Sequence, residues 1–218
     1  MSYFSLLSQV LALSLLKVWF LGAPMTLASS SKNGTQSSKS LLMTTQKSKP
    51  ESMEKKEVTV LAGGCFWGVE DLIRKIPGVT AVEVGYSGGT IDNATYEIVK
   101  TGTSGHAESV RIEFDPSVLS FEKLLEHFFK LHDPTTKNQQ GNDRGTQYRS
   151  VIFYTNEQQK ETALKMIDRV NKSHAWKNPV VTEVVPFKKF IRAEEYHQDY
   201  LEKHPNGYTC HYYRKIDF

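Results

Sequence analysis

Val58-Thr59-Val60-Leu61-Ala62-Gly63-Gly64-Cys65-Phe66-Trp67-Gly68-Val69-Glu70-Asp71-Leu72-Ile73 is the stretch from which the rest of the chain can be organised. Val58 to Ala62 is β-branched and apolar, which predicts a short buried strand. The two glycines then allow a close turn. Phe66, Val69 and Ile73 recur at helical spacing, so a helix is expected over Phe66–Ile76, stopped by Pro77 and Gly78. Cys65 therefore stands at a strand-to-helix turn.

Working outward, Val79–Tyr86 is read as a second strand followed by the loop Ser87-Gly88-Gly89-Thr90. Val110, Ile112 and Phe114 alternate with Ser109, Arg111 and Glu113, the pattern of a strand with one face in the core. Ser120 is placed to cap a helix whose Leu124, Leu125, Phe128 and Phe129 share one side. Asp133–Arg149 is polar and contains Pro134, Gly141 and Gly145, so it is read as a long ordered loop, a common setting for functional groups. Val151–Tyr154 returns as a strand, and Asn156 with Gln159 makes a capping box for the next helix. A strand over Val180–Val185, a short helix over Ala193–Lys203 and an irregular tail complete the reading. The first six elements run strand, helix, strand, strand, helix, strand. That order predicts an α+β fold, a two-layer ferredoxin-like sandwich with additional edge elements and an irregular C-terminal tail.

A length of 218 residues accommodates one sizeable domain plus extra sequence. Residues 57–218 are read as that domain. Of the 27 basic and 24 acidic residues, five lysines and one acid fall within residues 1–53, which leaves the remainder at a net charge of −1. Basic charge is thus not concentrated on the domain, and nucleic-acid binding is not expected. Two distant cysteines permit one disulfide but neither a cysteine framework nor a cysteine-only zinc site. His106, His127, His132 and His197 show no close ligand spacing, so no metal is expected. Glu194, Glu195 and His197 are read as a helix surface near the pocket, and His204 and His211 as flanking a mobile tail.

Residues 1–28 are rich in apolar residues and end near small residues, as an export signal or membrane anchor would. No positive side chain precedes the apolar run, however, and Lys17 interrupts it. An extension ahead of a later start, at Met43 or Met53, stays open, with a cytoplasmic protein as the result. Residues 29–56 read as a flexible linker, because 11 of the 24 residues from Ser29 to Ser52 are Ser or Thr.

Taken alone, Cys65 fits two descriptions equally well: a nucleophile activated by a helix N-terminus, or a small buried core residue. The surrounding motifs carry more. Gly63-Gly64-Cys65-Phe66-Trp67-Gly68, Gly85-Tyr86-Ser87-Gly88-Gly89 and Gly105-His106-Ala107-Glu108 resemble the Gly-Cys-Phe-Trp, Gly-Tyr-x-Gly-Gly and Gly-His-Ala-Glu segments of the A-type peptide methionine sulfoxide reductases. The resemblance runs from about Glu57 to Tyr213. It implies that the Cys65 thiolate attacks the sulfoxide sulfur, with Phe66 and Trp67 receiving the S-methyl group. It makes Glu108 a protonated carboxyl beside the sulfoxide oxygen, assisted by the hydroxyls of Tyr96 and Tyr148. It gives Asp143 the task of ordering the pocket and accepting the substrate's backbone amide.

The same resemblance completes a cycle. Cys65 is left as a sulfenic acid, which condenses with a second thiol. Pro205-Asn206-Gly207-Tyr208-Thr209-Cys210-His211 resembles the family's Gly-Tyr-Cys region with Thr209 inserted, so Cys210 is implied as the resolving residue. Many relatives carry a further cysteine, but none follows here. Thioredoxin or a similar dithiol protein is therefore the implied reductant, with oxidised proteins and free methionine sulfoxide as substrates. No metal, flavin or nicotinamide is needed, preference for the S epimer is implied, and a monomer is expected. Two rivals stand beside this reading: another two-cysteine oxidoreductase or peroxidase, which would not explain Phe66, Trp67, Glu108 and the tyrosines together, and a sulfoxide-binding module, which would not need Cys210.

Overall fold

The β-branched run and the glycine pair set the first unit. In a computed structural model that describes residues 56–218, β1 (Glu57–Gly63) passes through Gly64, at φ 111°, into α1 (Phe66–Ile73). The helix ends three residues earlier than its apolar spacing suggests. Pro77 disfavours helical backbone at Ile76, and the Ile76 amide instead closes a tighter turn on the Ile73 carbonyl. β2 (Val79–Ser87) follows, then a one-turn α2 (Tyr96–Val99) that the sequence did not announce, then β3 (Ala107–Phe114). Ser120 caps α3 (Phe121–Leu131) by accepting the Lys123 amide at 3.2 Å.

The long polar segment is ordered and contains a small hairpin, β4 (Gln139–Gln140) with β5 (Asp143–Arg144), and a 3-10 turn over Thr146–Tyr148. After β6 (Ser150–Tyr154), Asn156 caps α4 (Glu157–Ser173) through the Gln159 amide at 2.9 Å. The Gln159 side chain reaches back to the amide of Thr155 rather than to that of Asn156. β7 (Glu183–Pro186) begins later than expected, because Val180 and Val181 spend their amides on Asn171 and on the Pro134 carbonyl. A three-residue β8 (Phe190–Arg192) comes next, too short to show a period in sequence. The helix expected over Ala193–Lys203 is broken into a 3-10 turn (Glu195–His197) and α5 (Tyr200–Lys203). Asp199 makes the break, with φ 55° and its amide directed to the Glu70 carboxylate.

The main sheet has the order β7-β6-β1-β3-β2-β8, antiparallel except for the β6–β7 pair. Its four central strands with α1 and α3 form the expected ferredoxin-like arrangement, extended at the edges by β7 and β8. Leu61, Val84, Val110, Ile112 and Ile152 point to the helices and share a core with Phe66, Phe128 and Phe129. Val60, Ala62, Val151 and Phe153 face the other way in a smaller cluster. Because side chains alternate along a strand, Glu108 lies on the same face of β3 as Val110 and Ile112. That parity aims a carboxyl at the start of α1.

The membrane-tether expectation is corrected. No helix among the described residues is long and apolar enough to cross a membrane, and the signal or anchor assignment, residues 1–28, and the linker assignment, residues 29–56 except for its last residue, lie outside the described residues. Among the described residues no three His, Cys, Asp or Glu side chains converge as a metal-binding group.

Candidate active site

A helix start leaves backbone amides without intrahelical partners. At α1 one of them, the Phe66 N–H, donates to Glu108 Oε2 at 3.1 Å. Glu108 is 2% exposed. Burial pushes its carboxyl up to about 8, against the pull of the Phe66 amide and with a smaller push from Asp143. At neutral pH the carboxyl is therefore mostly protonated. Cys65 is also buried: burial first, then Glu108, holds the thiol well above its ordinary range, and the Trp67 amide offsets this only in part. The helix N-terminus is real, but desolvation outweighs it. Tyr96 and Tyr148 have their phenols raised by burial and then by Glu108, and both also sense Cys65. The two tyrosines, the acid and the thiol thus share one hollow.

An aromatic wall closes that hollow. Phe66 packs 5.9 Å from the Tyr86 ring and 5.1 Å from His197. Trp67 stacks on Tyr200 at 3.7 Å and donates its indole N–H to His197 Nδ1 at 3.1 Å. Tyr96 lies 4.6 Å from the same imidazole. Glu194 accepts the Tyr86 hydroxyl at 2.8 Å and the Tyr96 amide at 2.9 Å. Glu194 and His197 are thus wall residues, and His197 is buried. Their expected place near the pocket agrees with this, but the buried His197 is not surface, whereas Glu195 is exposed and paired with Arg192. Arg74 bridges Glu70, Asp199 and Glu202 at 2.7 to 2.9 Å, which fixes α5 and its Tyr200 against α1.

The C-terminal segment crosses the mouth of the site. Cys210 Sγ contacts Asp143 Oδ2 at 3.2 Å, and the Tyr208 hydroxyl donates to Asp143 Oδ1 at 3.0 Å. His211 is buried, with Nε2 2.8 Å from the Gly63 carbonyl. These contacts seat the segment around Cys210 against Asp143 and Gly63. Both cysteines are free thiols. Burial, then the hydrogen bond to Asp143, pushes the Cys210 thiol up to about 12. Asp143, expected to meet the substrate amide, here holds the tail.

The family model for peptide methionine sulfoxide reductase matches residues 57–217. The chain belongs to this family. MsrA 2 of Rhodopirellula baltica, a peptide methionine sulfoxide reductase, is 57% identical over 158 residues, covering 72% of this chain and 92% of that one. Among solved structures, Mxr1 from Saccharomyces cerevisiae in reduced form aligns with a TM-score of 0.70 at 37% identity, over 73% of this chain and 93% of that one. Mxr1 in complex with Trx2 aligns with a TM-score of 0.52 at 26% identity, over 78% and 97%. The activity is that of an MsrA-type oxidoreductase, reduction of peptide methionine sulfoxide.

In this reductase the residues named from sequence fall into two neighbouring groups. Cys65, Phe66, Trp67, Tyr96, Glu108 and Tyr148 line the hollow, and Asp143 with Cys210 stands at its mouth. Sequence reasoning missed Gly68. A glycine inside a helix costs about 1 kcal/mol relative to alanine, which is itself a signal of close approach. A Cβ at Gly68 would collide with Thr209 Oγ1 and come 2.6 Å from His211 Nδ1. Gly68→Ala is therefore expected to destabilise the reductase by about 1–3 kcal/mol, despite its better helix propensity. Urea denaturation checks this, and a gain in stability would show that the tail does not pack as described.

Proposed function

We propose that the reductase runs a two-cysteine cycle on the S epimer of methionine sulfoxide, with Cys65 as nucleophile, Glu108 as proton relay and Cys210 as resolving thiol. The observation that carries this reading is the buried, protonated Glu108 tied to the Phe66 amide beside a buried neutral thiol. That protonation state suits the chemistry. When Cys65 sulfur attacks the sulfoxide sulfur, the oxygen passes to Cys65, methionine leaves, and Cys65 becomes a sulfenic acid. One proton must reach that oxygen and one must leave the thiol, so a neutral acid and a neutral thiol together supply what the step needs. The raised phenols of Tyr96 and Tyr148 keep two further donors for the same oxygen.

Phe66 and Trp67 offer an apolar bed for the S-methyl group, and a methyl and an oxygen placed against different walls distinguish the epimers. Asp143 accepts a substrate backbone amide once Cys210 moves inward. The sulfenic acid then condenses with Cys210, releasing water. Reduction of that disulfide falls to thioredoxin or a similar dithiol protein, a reading supported by the fold shared with Mxr1 in its complex with Trx2. Oxidised proteins and free methionine sulfoxide are the substrates, and because each named group comes from one chain, a monomer suffices.

The test supplies purified protein with separate S and R epimers of a peptide methionine sulfoxide and a thioredoxin-regenerating system. Methionine is expected from the S epimer only. Equal turnover of both epimers would overturn the pocket assignment, and turnover that ignores thioredoxin would overturn the proposed reductant.

A further inference from the structure

We propose that His211 is the base of the resolving step, its Nδ1 taking the proton of the Cys210 thiol as that sulfur attacks oxidised Cys65. This rests on the two-cysteine reading above. A carbonyl oxygen only accepts, so the 2.8 Å contact from His211 Nε2 to the Gly63 carbonyl places the ring proton on Nε2. Burial keeps the imidazole neutral. Nδ1 is then left with a lone pair, 3.6 Å from Cys210 Sγ. Gly63 lies two residues before Cys65, so the contact that selects the tautomer also holds the tail beside the nucleophile.

The Cys210 thiol needs such a partner, since it is protonated at neutral pH. Two groups face it. Asp143 is the closer, at 3.2 Å, but its other oxygen is already engaged by Tyr208. An imidazole is the stronger base, and once protonated it is stabilised by that same carboxylate. The other charged or titratable neighbours are Arg214, which disfavours the imidazolium, and His132, which senses the His211 charge. Gly64 and Gly68 leave the room: a Cβ on either would come within 3.0 Å of a ring nitrogen of His211.

The step balances without an outside reagent. Cys210 loses its proton to Nδ1 and its sulfur forms the S–S bond, while the S–O bond of Cys65 breaks. The departing hydroxide takes the proton back from Nδ1 and leaves as water. Cys65 sulfur is reduced from the sulfenic level and Cys210 sulfur is oxidised.

His211→Gln separates base from anchor, because its amide N–H can still reach Gly63 O but no basic nitrogen remains. Reduced full-length protein is mixed with one equivalent of S-sulfoxide peptide without reductant. Methionine, sulfenic acid trapped by a cyclic 1,3-diketone, and free thiols are then followed in time. The variant is expected to release methionine as fast as wild type, yet to form the Cys65–Cys210 disulfide about 10²-fold more slowly. Its rate should climb with pH and recover with added imidazole. Wild-type speed of disulfide formation, or a slow step that neither pH nor imidazole restores, would overturn the proposal. Wild type supplies an arm independent of the variant's folding: its resolving rate should fall as pH drops and His211 is protonated, and a flat profile would overturn the base role. Cys210→Ser losing its free Cys65 thiol to a disulfide, or wild type forming none, would overturn the two-cysteine reading and this proposal with it.

Discussion

Glu108→Gln is expected to slow methionine formation by about 10²–10⁴-fold while making the folded protein more stable at alkaline pH. The two effects have one cause. The buried carboxyl titrates at about 8 against an ordinary value of 4.5. The native state therefore binds this proton more tightly than the unfolded chain, and stability falls as pH rises through that window. The contribution is complete below pH 4.5 and lost above about 8. Its size is on the order of a few kcal/mol. Glutamine keeps the shape and can still meet the Phe66 amide through its carbonyl, but has no proton to relay and no charge to bury. Single-turnover methionine release and denaturation curves on both sides of the window measure both effects. Undiminished release, or an unchanged pH slope, would remove Glu108 from its role.

Some slope must survive in the variant. Glu70, raised by burial to about 7, acts in the same direction. His132 acts oppositely: burial lowers it to about 3, so the stability it confers as a neutral ring is lost as pH falls from 6.5 through that value. The described domain should accordingly be most stable in mildly acidic solution.

Cys210→Ser is expected to release a single methionine per chain and then stop when thioredoxin is the reductant. The first step needs only Cys65 and the hollow, all of which remain. The stalled protein should carry a sulfenic acid on Cys65, visible as a trapped adduct by mass spectrometry. A small thiol that can reach Cys65 should restart turnover. Continued thioredoxin-driven turnover would mean that the disulfide is not an obligatory intermediate.

The fold was legible where local pattern and tertiary demand agree. The alternation of Val110, Ile112 and Phe114, the cap at Ser120 and the turn at Gly63-Gly64 each appear as read, and together they specify the central four strands and two helices. Cys65 and Glu108 were singled out by motif, and parity along β3 explains why the acid meets α1. What could not be read depends on contacts between distant residues. The upward push on the Cys65 thiol follows from how deeply it is buried, which no local feature encodes. Glu194 and His197 looked like surface because their partners, Tyr86, Tyr96 and Trp67, lie about a hundred residues or more earlier in the chain. The break at Asp199 likewise depends on Glu70, and the tail looked free because His211 answers to a carbonyl 148 residues away.

The Trp67 wall has a consequence for biosynthesis. Its partners His197 and Tyr200 are joined to Trp67 across 130 residues or more. Cys65 leaves the ribosome well before them and must wait for about 130 further residues to be translated for its enclosure. Until then the nascent chain holds an uncovered thiol without its complete aromatic wall and without Cys210. The segment from Glu194 to His211 supplies both, so enclosure arrives only with that segment, and a truncated product lacking it would be an open thiol rather than a slow enzyme.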